Sequence, residues 1–222
     1  MLLEDVKDTL PEDLLNVLSK DISEFRPAQN KAIEAGLLED KNLLICTPTA
    51  SGKTLIGEIA LVRGIMEGKG KGIYVVPLRA LAVEKFRAFK EKYQGLLRIA
   101  LTIGDMDSAE SRLADYDLII CTSEKIDSLL RHNVSWIPYV STMVVDEIHL
   151  LNDLHRGPTL EVVITLMKQL VPKLQLIGLS ATIGNPKELA SWLEAELVID
   201  IWRPVELKQG VYLNGKVDFL DG

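Results

Sequence analysis

Residues 43–54 have the types and the spacing of a loop that binds phosphate. Four apolar residues, Leu43–Cys46, predict a short buried strand, and the loop after it reads Thr47-Pro48-Thr49-Ala50-Ser51-Gly52 before Lys53 and Thr54. A strand, a short loop and a helix in this order form an anion site, because the loop and the first helical turn present free backbone N–H groups. The helix is predicted by apolar residues at spacings of three and four: Ile56, Ile59, Val62 and Met66.

The side chains that end this loop predict nucleotide chemistry. In a Gly-Lys-Thr sequence placed this way, we expect Lys53 to reach the β- and γ-phosphates of a nucleoside triphosphate. We expect the hydroxyl of Thr54 to bind Mg²⁺. The loop therefore predicts a site for ATP with Mg²⁺ as the cofactor.

Two carboxylates follow another apolar run. Asp146 and Glu147 come directly after Met143–Val145, which is a predicted buried strand. Because adjacent carboxylates repel each other unless a cation offsets their charge, we expect Asp146 to hold Mg²⁺ opposite Thr54, usually through water. Glu147 would then orient or deprotonate an attacking water molecule.

Three more polar residues are candidates for coupling the nucleotide to the rest of the protein. His149 could pair with His155 as a zinc ligand, but no third or fourth ligand lies at a suitable spacing. We therefore expect His149 to carry the state of the γ-phosphate to a neighbouring segment, and we expect no zinc. Ser180 and Thr182, at the end of another apolar run, are the expected receiving hydroxyls.

The elements that position these residues alternate along the chain. Strands that are apolar on both faces and alternate with helices predict an α/β domain, in which helices cover both faces of a mostly parallel sheet. Each polar motif follows a strand, so we expect the motifs to meet at the carboxyl edge of the sheet. The predicted strands are Leu43–Cys46, Ile73–Val76, Leu97–Thr102, Leu118–Cys121, Met143–Val145, Leu174–Leu179 and Leu197–Ile199.

Composition places the chain among ordinary globular proteins. Its 222 residues are 47% hydrophobic and 26% charged, as in an ordinary globular protein. A chain of this length can bury a substantial hydrophobic core. Cys46 and Cys121 form no C-x-x-C pair, so the sequence favours neither a zinc site nor a disulfide framework and fits a reducing compartment. The acidic start is unlike a signal peptide and no apolar run approaches the length of a membrane span, so we expect a cytoplasmic protein.

The charge distribution bears on nucleic-acid binding. A net charge of −7 argues against unspecific binding to polyanions, but it leaves room for a local basic face. The segment from Arg63 to Arg98 has nine basic and three acidic residues, although many of these could equally lie on solvated helix faces. Phe86, Phe89 and Tyr93 in this segment repeat at helical spacing, so we assign them to the core rather than to base stacking.

Taken together, six motifs resemble those of superfamily 2 helicases, in the order Q, I, Ia, Ib, II and III. Three further segments resemble the Ski-two-like branch and, within it, the archaeal Hjm-type DNA helicases of repair and replication forks: Thr102–Asp105, Arg156–Glu161 and Trp202–Leu207. Thr47 replaces the first glycine of the loop pattern, as is common in helicase-type loops and rarer in kinases. The six motifs are Gln29, Thr47–Thr54, Pro77–Leu81, Thr122–Lys125, Asp146–His149 and Ser180–Thr182.

The resemblance implies a RecA-like first motor domain. It assigns Gln29 to the adenine, which its amide can meet by donating and accepting at once. It assigns Thr47–Thr54 to the phosphates and Mg²⁺. By the same analogy, three residues face single-stranded nucleic acid through its phosphates, which would set position without reading sequence: Arg79, Thr122 and Lys125.

The resemblance also implies how the chain is divided. We expect residues 1–200 to form the ATP-binding domain, with the Q-motif helices at about 1–40. We expect residues 201–222 to form a tail, strand-like from Val205 to Leu213, that leads toward a second RecA-like domain. In this family, the resemblance implies, the second domain supplies an arginine that raises the rate of ATP hydrolysis roughly 10³–10⁵-fold. Because the sequence reaches Gly222 without it, we expect weak ATP binding, poor hydrolysis and no unwinding by this chain alone.

Three alternatives remain open. An RNA helicase of the same branch fits the residues equally well, because only the resemblance favours single-stranded or forked DNA as the partner. A P-loop small-molecule kinase would need an acceptor site and an arginine-bearing lid, and it leaves Asp146–His149 and Ser180–Thr182 unexplained. A non-catalytic binding module is disfavoured because the residues of the nucleotide site are intact.

Overall fold

The computed structural model describes residues 1–103, 110–205, 208 and 210–219. Three segments of the sequence analysis therefore lie wholly outside the described residues: Gly104-Asp105, Glu206-Leu207 and Asp221-Gly222. Every residue that we assigned to the nucleotide site lies within the described residues.

A parallel sheet of seven strands forms the centre of the described part of the chain. Its strands are β1 (Leu43–Cys46), β2 (Lys71–Val76), β3 (Ile99–Thr102), β4 (Leu118–Thr122), β5 (Val140–Val145), β6 (Gln175–Ser180) and β7 (Glu196–Ile199). They lie side by side in the order β3-β4-β2-β5-β6-β1-β7, and every neighbouring pair is parallel. All seven predicted strands are present, with their ends shifted by at most three residues.

Helices cover both faces of this sheet. They are α1 (Glu12–Leu18), α2 (Pro27–Glu34), α3 (Lys53–Met66), α4 (Arg79–Lys92), α5 (Ser123–Arg131), α6 (Gly157–Leu170) and α7 (Pro186–Leu193). Short 3₁₀ turns span Leu3–Thr9, Leu37–Glu39, Glu110–Asp115, Ile137–Tyr139 and Ile148–Asn152. Within the described ranges the longest helices have 14 residues, and none is long and apolar enough to cross a membrane.

The core has two halves because successive strand residues point to opposite faces. Leu43 and Ile45 of β1 pack with α1–α4, whereas Leu44 and Cys46 pack with α5–α7. This two-sided burial is the reason that the strands read as continuous apolar runs, and it confirms the predicted α/β fold class. The three aromatic residues that we assigned to the core also pack there: Phe89 and Tyr93 are buried, and Phe86 is half-buried against the same half of the core.

Helix α3 packs closely on the sheet at Gly57. A Cβ added at Gly57 would come within 2.9 Å of Val144 Cγ1 on β5, so a larger residue would push the helix outward. The start of α3 carries Lys53 and Thr54, and the end of β5 leads into Asp146. Close packing of α3 on β5 therefore sets the distance between the two halves of the candidate site.

The tail after the sheet is a hairpin, where we predicted one strand-like stretch from Val205 to Leu213. Strands β8 (Gly210–Leu213) and β9 (Lys216–Phe219) pair antiparallel. Asn214 and Gly215 join them with φ of 49° and 82°, which is the backbone of a type I′ turn. Val205 itself is exposed and lies in a bend before the hairpin.

Candidate nucleotide site

The loop between β1 and α3 is braced by its own side chains. The Thr47 and Ser51 hydroxyl oxygens are 2.7 Å apart, and both residues are fully buried. The backbone N–H of Thr47 also donates to the carbonyl oxygen of Ser180, at 3.2 Å. Thr47 therefore links the two ends of the loop by a hydroxyl contact that glycine at this position could not make.

Helix α3 begins where the backbone takes a left-handed turn. Gly52 has φ of 91°, a conformation that residues with a Cβ rarely adopt. A Cβ at Gly52 would also lie 2.6 Å from Gln29 Nε2. Glycine is thus required here both by the turn and by the closeness of α2.

Gln29 holds this loop from the side of α2. Its Oε1 accepts from the backbone N–H of Arg26 at 2.8 Å, and its Nε2 donates to the carbonyl oxygen of Gly52 at 3.0 Å. Arg26 adds a second link, because its Nη1 donates to the carbonyl oxygen of Ala50 at 3.0 Å. One N–H and one lone pair of the Gln29 amide remain, which is the pair that an adenine edge would need.

A cavity of 310 Å³ opens beside Gln29, bordered by Arg26, Gly52 and Thr54. Its size is at the lower end of the range for small-molecule sites. Near its rim the guanidinium of Arg26 lies over the ring of Trp202, with 5.8 Å from Cζ to the ring centroid. The backbone N–H of Trp202 donates to Asp200 Oδ1 at 2.7 Å, which holds the start of this segment in place.

Lys53 is a buried cation whose hydrogen-bonding capacity is unused. Its side chain is 10% exposed, and Nζ lies 3.5 Å from Glu147 Oε1. Among the residues that the structure describes, Nζ has no hydrogen-bond partner. Because a buried ammonium group without hydrogen bonds is costly, this arrangement favours an anion at the loop.

Asp146 and Glu147 leave the end of β5 in a turn that separates their side chains. Asp146 Oδ2 accepts from the Tyr74 hydroxyl at 2.9 Å, and Oδ1 accepts from the backbone N–H of Glu147 at 3.0 Å. Glu147 has φ of 51° and ψ of 44°, a left-handed conformation that costs a non-glycine residue about 1–3 kcal/mol. The strained turn directs the Glu147 carboxylate toward Lys53.

A second lysine lies between the two side chains that we assigned to Mg²⁺. Lys85 Nζ donates to Thr54 Oγ1 at 3.2 Å and lies 3.9 Å from Asp146 Oδ2. A positive group thus fits between this hydroxyl and this carboxylate, as a Mg²⁺ site requires. In the described part of the chain no group of three His, Cys, Asp or Glu residues could hold a metal, so a Mg²⁺ ion here would take its other oxygen ligands from phosphates and water.

Tyr74 keeps Asp146 in position. Burial, with the nearby Asp146 carboxylate as a further cause, raises the pKa of the Tyr74 hydroxyl well above its usual value. The hydroxyl therefore stays protonated and donates a hydrogen bond to Asp146. We expect Tyr74→Phe to lower the free energy of unfolding by about 1–3 kcal/mol, because a buried carboxylate loses a donor. Urea denaturation would measure it, with Tyr139→Phe as the control because Tyr139 is 69% exposed. Equal stability of the two variants would contradict this role.

His149 connects Glu147 to the segment after β6. Its Nδ1 lies 3.3 Å from Glu147 Oε2 and 3.5 Å from the backbone N–H of Ala181. Nδ1 must carry a proton to donate to Glu147 and must lack one to accept from Ala181, so only one of these hydrogen bonds exists at a time. The contact to His149 therefore comes from the backbone N–H of Ala181, which lies between the two hydroxyl residues that we predicted. Of those two residues, Ser180 is buried and Thr182 is exposed.

The three predicted nucleic-acid residues differ in exposure. Arg79, the first residue of α4, is exposed, whereas Thr122 and Lys125 are buried at the start of α5. The basic surplus between Arg63 and Arg98 is also largely neutralised, because many of its members pair with carboxylates: Arg63, Lys69, Lys85, Lys92 and Arg98. Contact with nucleic acid stays a prediction for all three residues.

Sequence reasoning missed two residues of this site. Tyr74 was assigned to a buried strand, although a phenol in such a strand normally has a hydrogen-bond partner, and this was a usable signal. Lys85 carried no such signal, because a lysine on an amphipathic helix is usually solvated. Only the packing of α4 on β2 brings its ammonium group to Thr54 and Asp146.

Comparison with known proteins finds helicases. The DEAD/DEAH box helicase family matches residues 26–189, more than half of the chain. Relatives named ATP-dependent DNA helicase Hel308 include those of Methanocaldococcus jannaschii (57% identical over 90% of this chain and 17% of that protein) and Methanococcus vannielii (51% over 94% and 28%). That of Pyrococcus abyssi is 50% identical over 99% of this chain and 29% of that protein. The chain thus spans less than a third of each of these relatives.

Solved structures agree with this match. Mycobacterium smegmatis helicase Lhr, bound to single-stranded DNA and AMP-PNP, superposes with a TM-score of 0.74 at 26% identity, over 89% of this chain and 28% of that one. The helicase MrfA bound to DNA gives 0.76 at 25% identity, over 87% of this chain and 30% of that one. The predicted RecA-like architecture is therefore confirmed.

Proposed function

This chain belongs to the DEAD/DEAH box helicase family, and we propose that it is the first motor domain of an ATP-dependent DNA helicase. In this role residues 47–54 bind Mg–ATP, and single-stranded or forked DNA crosses the carboxyl edge of the sheet. In this proposal, hydrolysis and unwinding require a second RecA-like domain of the same protein. We propose that the protein is cytoplasmic and nucleoid-associated when it is bound to DNA.

The observation that carries this proposal is the buried, unsatisfied ammonium group of Lys53 beside Glu147. The phosphates of a bound nucleotide would supply the missing hydrogen-bond acceptors of Lys53. They would also draw Lys53 away from Glu147, since an ammonium group binds the more strongly charged partner. Glu147 would then be free to accept a proton from the attacking water.

The other residues have supporting roles in the proposed reaction. Mg²⁺, held by Thr54 and Asp146, would neutralise charge on the phosphates. Tyr74 fixes the Asp146 carboxylate through its hydrogen bond. His149 would couple a change at Glu147 to the segment after β6, because its Nδ1 is within reach of both the Glu147 carboxylate and the backbone N–H of Ala181. Gln29 would couple adenine binding to the loop through Gly52.

The assignment of DNA as substrate rests on the relatives, which are named DNA helicases. Arg79 is the exposed candidate for a phosphate contact, and it lies at the start of α4, which follows β2 after Pro77 and Leu78. The test is stimulation of ATP hydrolysis in the protein that carries both motor domains. Greater stimulation by single-stranded RNA than by DNA would favour the RNA helicase alternative.

Lys53→Met tests the nucleotide site directly. We expect Mg–ATP to raise the melting temperature of the wild-type chain at millimolar concentration, and the variant to bind about 10- to 100-fold more weakly, because charge-assisted hydrogen bonds to phosphate are lost. Lys90→Met is the matched control, since Lys90 is exposed and lies over the Phe86 ring. Wild-type affinity in Lys53→Met would overturn the proposal.

A further inference from the structure

Each carboxylate of the Asp146-Glu147 pair has its own lysine. Glu147 lies 3.5 Å from Lys53, and Asp146 lies 3.9 Å from Lys85. From the sequence we expected a metal ion to offset the repulsion between the two carboxylates. The structure shows that two ammonium groups already provide this positive charge, so the four side chains together are neutral.

Several contacts hold the Lys85 side chain in its position. This side chain is 18% exposed, and Nζ lies 5.9 Å from the centroid of the Tyr74 ring. The hydroxyl of that same tyrosine donates to Asp146 Oδ2. The ammonium group also donates to Thr54 Oγ1 at 3.2 Å. Packing on an aromatic ring and contacts with Thr54 and Asp146 thus hold one amine between two oxygen ligands.

This geometry has a consequence for metal binding. A Mg²⁺ ion held by Thr54 and Asp146 would need oxygen ligands at about 2.0–2.1 Å. The Lys85 ammonium group lies 3.2 Å from Thr54 Oγ1 and 3.9 Å from Asp146 Oδ2, so an ion bound at these oxygens, directly or through water, would face a like charge at close range and compete with it. A free Mg²⁺ ion would also add two positive charges to a neutral site, whereas a nucleotide brings the negative charge that offsets them.

We propose that Lys85 is an internal counterion that competes with Mg²⁺ for Thr54 and Asp146, so that the site rejects the free ion and accepts it as a nucleotide complex. The inference rests on the proposed nucleotide site. When Mg–nucleotide binds, the Lys85 side chain leaves Thr54 and Asp146. Lys85 is thereby a specificity-determining residue for the form in which the metal enters.

The experiment compares the wild type with Lys85→Met, with Lys90→Met on the same helix as control. Mn²⁺, which takes similar oxygen ligands, is titrated without nucleotide and the bound ion is counted by electron paramagnetic resonance. We expect one bound ion in Lys85→Met and none in the other two proteins. Mg²⁺ at ten times its Kd should raise the melting temperature of Lys85→Met by about 3–6 °C relative to KCl of equal ionic strength.

Lys85→Gln provides a second variant if the methionine disturbs folding, and it should gain the same ion site. A wild type that already binds Mn²⁺ at this site, or variants that gain no ion, would overturn the inference. So would a tenfold loss of affinity for Mg²⁺ with a non-hydrolysable ATP analogue in Lys85→Met, because Lys85 would then be a phosphate ligand. Failure of the wild type to bind Mg–ATP would instead overturn the proposed function, independently of the Mn²⁺ result.

Discussion

Replacing Glu147 by glutamine is expected to lower the ATPase rate of the protein that carries both motor domains by about 10²–10⁴-fold. The amide keeps the size of the side chain and its left-handed turn, but it cannot accept a proton from water. Binding of Mg–ATP should be retained, because the phosphate ligands of residues 47–54 are unchanged and Lys53 loses its competing carboxylate. Single-turnover hydrolysis and nucleotide titration would separate these two effects.

The matched control is Glu91→Gln, because Glu91 is exposed on α4 outside the site and outside the motifs. This variant should hydrolyse ATP at the wild-type rate. If Glu147→Gln hydrolysed ATP as fast as this control, Glu147 would not be the base. If it lost binding as well as hydrolysis, the carboxylate would instead support the structure of the loop.

Replacing Gly52 by alanine is expected to damage both stability and nucleotide binding. The φ of 91° costs a residue with a Cβ about 1–2 kcal/mol, and the new methyl group would lie 2.6 Å from Gln29 Nε2. Either the first turn of α3 or the Gln29 amide must move, and both belong to the candidate site. We expect a fall of about 1–3 kcal/mol in the free energy of unfolding and at least about tenfold weaker binding of Mg–ATP.

Gly68→Ala separates the two causes. Gly68 also has positive φ, at 70°, but a Cβ there would meet nothing within 4 Å. Its variant should therefore show the backbone cost without the clash and without any change in nucleotide affinity. Urea denaturation and ATP titration of both variants would measure the difference, and equal ATP affinity in Gly52→Ala and Gly68→Ala would contradict the role of Gly52.

Much of the fold was accessible from local patterns. The seven strands were predicted because burial on both faces leaves continuous apolar runs, and the edge that carries the polar motifs follows from parallel strand direction. The hairpin at the tail was not predicted, although Asn214-Gly215 is a strong turn signal. The predicted strand-like stretch ended at Leu213, just before this turn. Alternation in the hairpin is weak, since residues on both of its strands are exposed.

The site was predicted as a set of residues, but its electrostatics were not. The sequence alone determined which side chains follow which strands, and therefore that Lys53, Thr54, Asp146 and Glu147 meet at one edge of a parallel sheet. Only the tertiary structure decided how their charges are balanced. The lysine that lies against Asp146 comes from α4, whose position depends on packing between helix and sheet, and local patterns carry no information on the distances that such packing sets.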